Sequence, residues 1–60
     1  MDKTTIQYWI QEQALDGNYV DSVGLSESYT KELAERAIDG WRRSFPNNRY
    51  KLVIKITIEI

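Results

Sequence analysis

Cysteine and histidine are both missing from this chain. Their absence removes disulfide stapling, Cys/His zinc sites, thiol nucleophiles and imidazole general bases together. A chain without cysteine also fits a reducing compartment. Long apolar runs are missing too. None approaches the roughly 20 residues of a membrane span, and no basic-then-apolar leader pattern opens the sequence. The expectation is a soluble, cytoplasmic protein with no membrane association. No Gly-rich phosphate loop, Ser-based catalytic motif or metal-ligand spacing occurs. One carboxylate pair, Glu12 with Asp21, comes face to face in one of two hairpin registers, but a small sheet with one helix offers little room for the cleft that raises a carboxyl pKa. The chain is therefore expected to be no enzyme and to need no cofactor or metal.

What remains is 60 residues, expected to form a single small domain over residues 1–60. A domain of that size buries only about 60% of its unfolded surface and often leans on a partner. The net charge of −1 hides a split. Residues 1–40 carry eight acidic side chains against three basic ones, and residues 41–60 carry five basic against one acidic. Such a dipole either steers a partner or lets the two halves attract each other.

Residues 4–15, TTIQYWIQEQAL, are rich in β-formers, with Ile6, Tyr8, Ile10 and Ala14 on one face and Trp9 among Gln7, Gln11 and Gln13 on the other. Asp16-Gly17 signals a hairpin, and Tyr19, Val20 and Val23 belong to the return strand. A two-residue loop sets Glu12 opposite Asp21, a like-charge pair that costs stability. A three-residue loop, with Asn18 in the left-handed region, sets Gln13 opposite Asp21 and is preferred here. Ser26 is expected to cap a helix of about 18 residues whose first turn holds Glu27. Leu33, Ala34, Ala37, Ile38, Trp41 and Phe45 recur at helical spacing as its apolar face. Glu32 with Arg36 and Asp39 with Arg43 are placed to pair on the outer face. Gly40 weakens the helix by about 1 kcal/mol and is expected to permit close approach to the sheet. Pro46 ends the helix and Asn47-Asn48 makes the turn. The last strand, RYKLVIKITIEI, puts a bulky apolar residue at every even position from Tyr50 to Ile60.

These elements predict an α+β protein of order β-β-α-β. Its three-stranded antiparallel sheet has strand order 2-1-3, with one helix packed on one face. A strand of about 12 residues runs roughly 40 Å, whereas a helix of about 18 residues spans roughly 27 Å. Ile6, Ile56, Ile58 and Ile60 should then outrun the helix. Either the tail folds back over the core or the helix starts further down, so that the stripe is ordinary core, or a second chain covers it by pairing with the last strand or stacking on its face. The second solution is preferred, as a homodimer or with a host protein adding the strand.

Three stretches, Asp16-Gly17-Asn18-Tyr19-Val20, Glu32-Leu33-Ala34-Glu35-Arg36-Ala37 and Pro46-Asn47-Asn48-Arg49-Tyr50, resemble those of small β-β-α-β accessory proteins of bacteriophages and bacteria. The first two are also similar to the hairpin and helix of HicB-type antitoxins. The resemblance implies a binding role, often the regulation or inhibition of a host factor. The expected function is a non-enzymatic protein-binding module that occludes a partner. It is dimeric through the last strand, with Ile54, Ile56, Ile58, Ile60 and Trp9 as interface residues. The alternative is a small nucleic-acid-binding protein, with Trp9 stacking a base while Arg49, Lys51 and Lys55 follow phosphate. A second basic group, Arg42 and Arg43 with Arg49 and Lys51, is a further candidate for phosphate binding, although the helix dipole already accounts for its first two arginines. The acidic face of Glu27, Glu32, Glu35 and Asp39 is read as solvated.

Overall fold

The computed structural model describes residues 2–60. Strand β1 is Lys3–Gln13, β2 is Tyr19–Gly24, helix α1 is Lys31–Ser44 and β3 is Tyr50–Glu59. The sheet has the order β2-β1-β3, and β1 is antiparallel to both neighbours. The predicted α+β architecture is therefore the observed one.

The hairpin turns one residue earlier than either predicted register. Ala14 N–H donates to Asn18 O at 2.7 Å and Gly17 N–H to Ala14 O at 3.0 Å, so the loop is Leu15-Asp16-Gly17. Gly17, at φ 87°, takes the left-handed position expected of Asn18. A three-residue loop wants glycine there, because glycine alone has no Cβ to clash. Asp16 then accepts from the backbone and side-chain N–H groups of Asn18 at 3.0 and 3.1 Å. Gln13 thus faces Tyr19, Glu12 faces Val20 and Asp21 faces Gln11, so neither Glu12 nor Gln13 opposes Asp21. A bulge follows: Ile10 faces Val23 while Gln11 faces Asp21, leaving Ser22 as the extra residue. The bulge returns Val23 to the helix side of the sheet, beside Ile10.

Helix α1 starts later than expected. Thr30, not Ser26, is the N-cap, and its Oγ1 accepts from Leu33 N–H at 3.2 Å. Ser26 instead closes a local turn, its Oγ accepting from Ser28 N–H and its carbonyl from Tyr29 N–H. Glu32 rather than Glu27 occupies the first turn, and Arg42 and Arg43 lie in the last, both favourable to the helix dipole. Gly40 meets nothing within 4 Å of an added Cβ, so close approach to the sheet does not explain it. Nor do the outer charges pair as predicted. The ion pair formed is Asp39 with Arg42, 3.6 Å apart.

The core lies where the helix crosses the middle of β1 and the start of β3. Ile10, Leu25, Ala34, Ile38 and Tyr50 are buried, with Tyr8, Val23, Ala37, Trp41 and Leu52 packed around them. Trp41 stacks on Phe45 with centroids 5.5 Å apart and meets the Tyr50 ring edge-on at 5.9 Å. Fourteen helical residues reach about 21 Å, whereas the ten of β3 reach about 33 Å. The molecule measures 45 × 26 × 11 Å with a radius of gyration of 13.0 Å, against about 10 Å for a compact domain of this length. The excess is an arm, made of the start of β1 and the end of β3, which pair from Lys3–Glu59 through Ile6–Ile56.

Candidate interaction surface

The direction of every β3 backbone group follows from one bond. Gln13 N–H donates to Arg49 O at 2.9 Å, so odd-numbered residues of β3 bond to β1. Even-numbered residues turn their N–H and C=O groups outward, along the free edge. Arg42 agrees with this parity, since its Nη2 donates to the outward carbonyl of Tyr50 at 3.1 Å. The even residues also carry the apolar side chains. Ile54, Ile56 and Ile58 therefore present open hydrogen-bonding groups and uncovered side chains together, an arrangement that pairs readily with another strand.

No described part of the chain shelters this stripe. Ile6 is 52% exposed, Ile54 54%, Ile56 61% and Ile58 64%, and Ile60 is wholly exposed. Residues buried on one face of a sheet normally lie well below these values. The fold-back solution is thereby excluded for this chain, whose helix begins after Thr30 and does not reach the arm. Next to the stripe, a groove between α1 and β3 is floored by Tyr8, Ile38, Leu52 and Ile54 and rimmed by Lys31, Glu35, Asp39 and Arg42.

Trp9 lies on the opposite face of the sheet and is not brought together with the isoleucines. It is half-buried. One side of its ring packs on Gly24, its partner in β2, where an added Cβ would come within 2.9 Å of Cζ2. Lys55 Nζ sits 4.3 Å from the ring centroid and also bonds to Asp21 Oδ2. Gln11 Nε2 donates to Asp21 Oδ1 at 3.0 Å. Together these contacts hold the Asp21 carboxyl below its ordinary pKa, Lys55 contributing most and Gln11 next. Lys51 caps the Tyr19 ring in the same way, 4.5 Å from its centroid. Lys51 and Lys55, two of the three cations assigned to phosphate, are thus engaged on aromatic rings, and the indole assigned to base stacking is already in contact with Gly24 and Lys55. Arg42 is tied to Asp39 and Tyr50 on the helix side while Lys51 lies over Tyr19 on the open face, so these two members of the second basic group are kept apart by the sheet. The contacts of Asp21 with Gln11 and Lys55 escaped the sequence reading because they follow from the hairpin turning at Leu15-Asp16-Gly17, which sets Gln11 opposite Asp21.

Among the described residues, no group of three or more His, Cys, Asp or Glu side chains is placed to hold a metal ion. No described helix is long and apolar enough to cross a membrane. No family model, curated protein or solved structure matches the chain.

Proposed function

We propose that the protein is a non-enzymatic protein-binding module that self-associates through β3 and works in the cytoplasm by occluding a partner protein, in the manner of a phage or mobile-element accessory protein. The observation that carries this reading is the coincidence of open edge and uncovered side chains at Ile54, Ile56 and Ile58. Each isoleucine taken from water contributes about 1.5–3 kcal/mol when fully buried. With five buried apolar residues among those described, the fold gains much from such a supplement. Strand pairing places both needs on one partner, because a strand added to β3 satisfies the edge and lays its own side chains beside the stripe. The nucleic-acid alternative has less support, since Lys55 is paired with Asp21 and rests on Trp9.

Ile58→Lys tests the reading. Ile58 is 64% exposed within its own chain, so the change alters monomer folding by no more than about 0.5 kcal/mol. It does place a cation in the apolar seam. Light scattering after size exclusion should show a wild-type dimer and a folded monomeric variant, with the same far-ultraviolet spectrum. A variant that elutes as a dimer removes β3 as the interface.

A further inference from the structure

Given self-association through β3, the charge pattern of that strand selects one register, and we infer that Thr57 lies on the two-fold axis between copies. Two-fold pairing of β3 with a second β3 requires outward-facing residues to oppose outward-facing ones, so even-numbered residues pair with even and odd with odd. The odd residues then meet on the open face and discriminate among the allowed alignments. With Lys55 on the axis, two ammonium groups oppose each other directly, which is destabilising. With Tyr50 inside the paired segment, the partner strand meets a carbonyl already taken by Arg42. With Ile56 on the axis, Lys55 faces Thr57 and Glu59 faces Val53, leaving both charges without a cross-strand mate.

The alignment centred on Thr57 has none of these faults. Lys55 of each copy faces Glu59 of the other, giving two opposite-charge pairs, and the two Thr57 hydroxyls meet at the centre. Within one chain Glu59 already lies opposite Lys3 and Lys55 bonds to Asp21. To make the pair with Glu59 of the second copy, the Lys55 ammonium swings from Asp21 and the Trp9 ring toward the free edge, exchanging one carboxylate for another. On the helix face, Ile56 pairs with Ile58 and Ile54 with Ile60 of the second copy. Ile60 so placed stands beside the groove floored by Tyr8, Ile38, Leu52 and Ile54. The product is a continuous six-stranded sheet with both helices on one face, flanking the joined stripes.

Charge exchange and cross-linking test the alignment together. Lys55→Glu alone sets carboxylate against carboxylate at both ends of the seam, and Glu59→Lys alone sets ammonium against ammonium there. Mixed together, these two variants restore opposite charges across the seam. Each variant should self-associate about tenfold or more weakly than the mixture, which should form the heterodimer. The absence of cysteine makes the second measurement clean: Thr57→Cys, at a non-hydrogen-bonded pair with Cα atoms about 4.5 Å apart, should form the self-disulfide in a glutathione buffer. Lys55→Cys and Ile56→Cys should do so far less. Efficient self-disulfide at position 55 or 56 in place of 57, or equal association of single and mixed charge variants, overturns the register while leaving the β3 dimer standing. A wild-type chain that stays monomeric at high micromolar concentration overturns both.

Discussion

Replacing Gly24 by alanine should destabilise the fold through one contact, and the size of the effect follows from the geometry. The new methyl carbon would lie 2.9, 3.0 and 3.1 Å from Cζ2, Cη2 and Cε2 of Trp9, closer than carbon atoms pack. The ring cannot simply lift away, because Lys55 Nζ stands over it, 4.3 Å from the centroid, and is itself held by Asp21. Overpacking of this kind costs about 1–3 kcal/mol. Tilting the ring also weakens the cation–π contact, worth about 0.5–1 kcal/mol at an exposed site. Against this, alanine restricts the unfolded chain and returns about 0.4–1 kcal/mol. The net expectation is a loss of about 2 kcal/mol, or roughly 8–16 °C in Tm for a domain this small. Thermal and urea unfolding followed by far-ultraviolet circular dichroism would measure it, at a fixed protein concentration because the proposed self-association would shift Tm. Trp9→Leu in the same background should remove most of the penalty, since a smaller side chain can move aside. Gly24→Ala with unchanged stability, or a penalty that persists without the indole, would refute the close packing of Trp9 on Gly24.

The second glycine change has the opposite sign: Gly40→Ala, on an exposed helical position with nothing near the added Cβ, should stabilise by about 1 kcal/mol, read by the same unfolding curves. Thr30→Ala removes the acceptor of Leu33 N–H and should cost about 1 kcal/mol, while Ser26→Ala should cost less, reversing the order expected from the sequence. The carboxyls of Asp16 and Asp21 are both held below their ordinary pKa, the first chiefly by the backbone N–H of Asn18 and the second chiefly by Lys55. Depressed folded-state values give stability that is present above the unfolded pKa and lost as pH falls through the folded one. Unfolding midpoints should therefore hold steady above about pH 5 and drop below about pH 4, and Asp21→Asn should flatten that drop. Titration with single-stranded oligonucleotide at low salt should leave tryptophan fluorescence unchanged; strong quenching that salt reverses would favour the open-face alternative.

The strand order and the placement of one helix were legible because each element repeats its own period. Ile6, Tyr8 and Ile10 alternate, as do Leu52, Ile54 and Ile56, while Ala34, Ile38 and Trp41 recur every three or four residues. The excess length of the last strand was legible too, from arithmetic on rise per residue. What could not be read depends on choices among chemically similar neighbours. Ser26, Ser28 and Thr30 are all competent caps, and the apolar helical face starting at Leu33 favours the last of them once the rule that the cap bonds two or three residues ahead is applied strictly. Asp16-Gly17 announced a hairpin but not its bounds, because Gly17 and Asn18 both tolerate a left-handed backbone. The bulge at Ser22 has no local signature, and Asp21 comes beside Gln11 only because the loop starts at Leu15, one residue before the Asp16-Gly17 signal. Gly40 had an expected packing reason that the structure does not supply.

The bulge at Ser22 also bears on how large an assembly can grow. Strand addition at a straight border is open-ended unless the opposite border is a worse template, and here the two borders differ. The outer rim of β2 is six residues long and kinked where Ser22 bows out of the ladder, a device that discourages further edge-to-edge growth. In a β3-joined pair, the remaining rims would be this short, bent β2 and, beyond it, the margin of β1 from Lys3 to Ile6 that only β3 pairs. Growth along β2 would then lack a flat template, leaving only that four-residue margin of β1 open to a further strand.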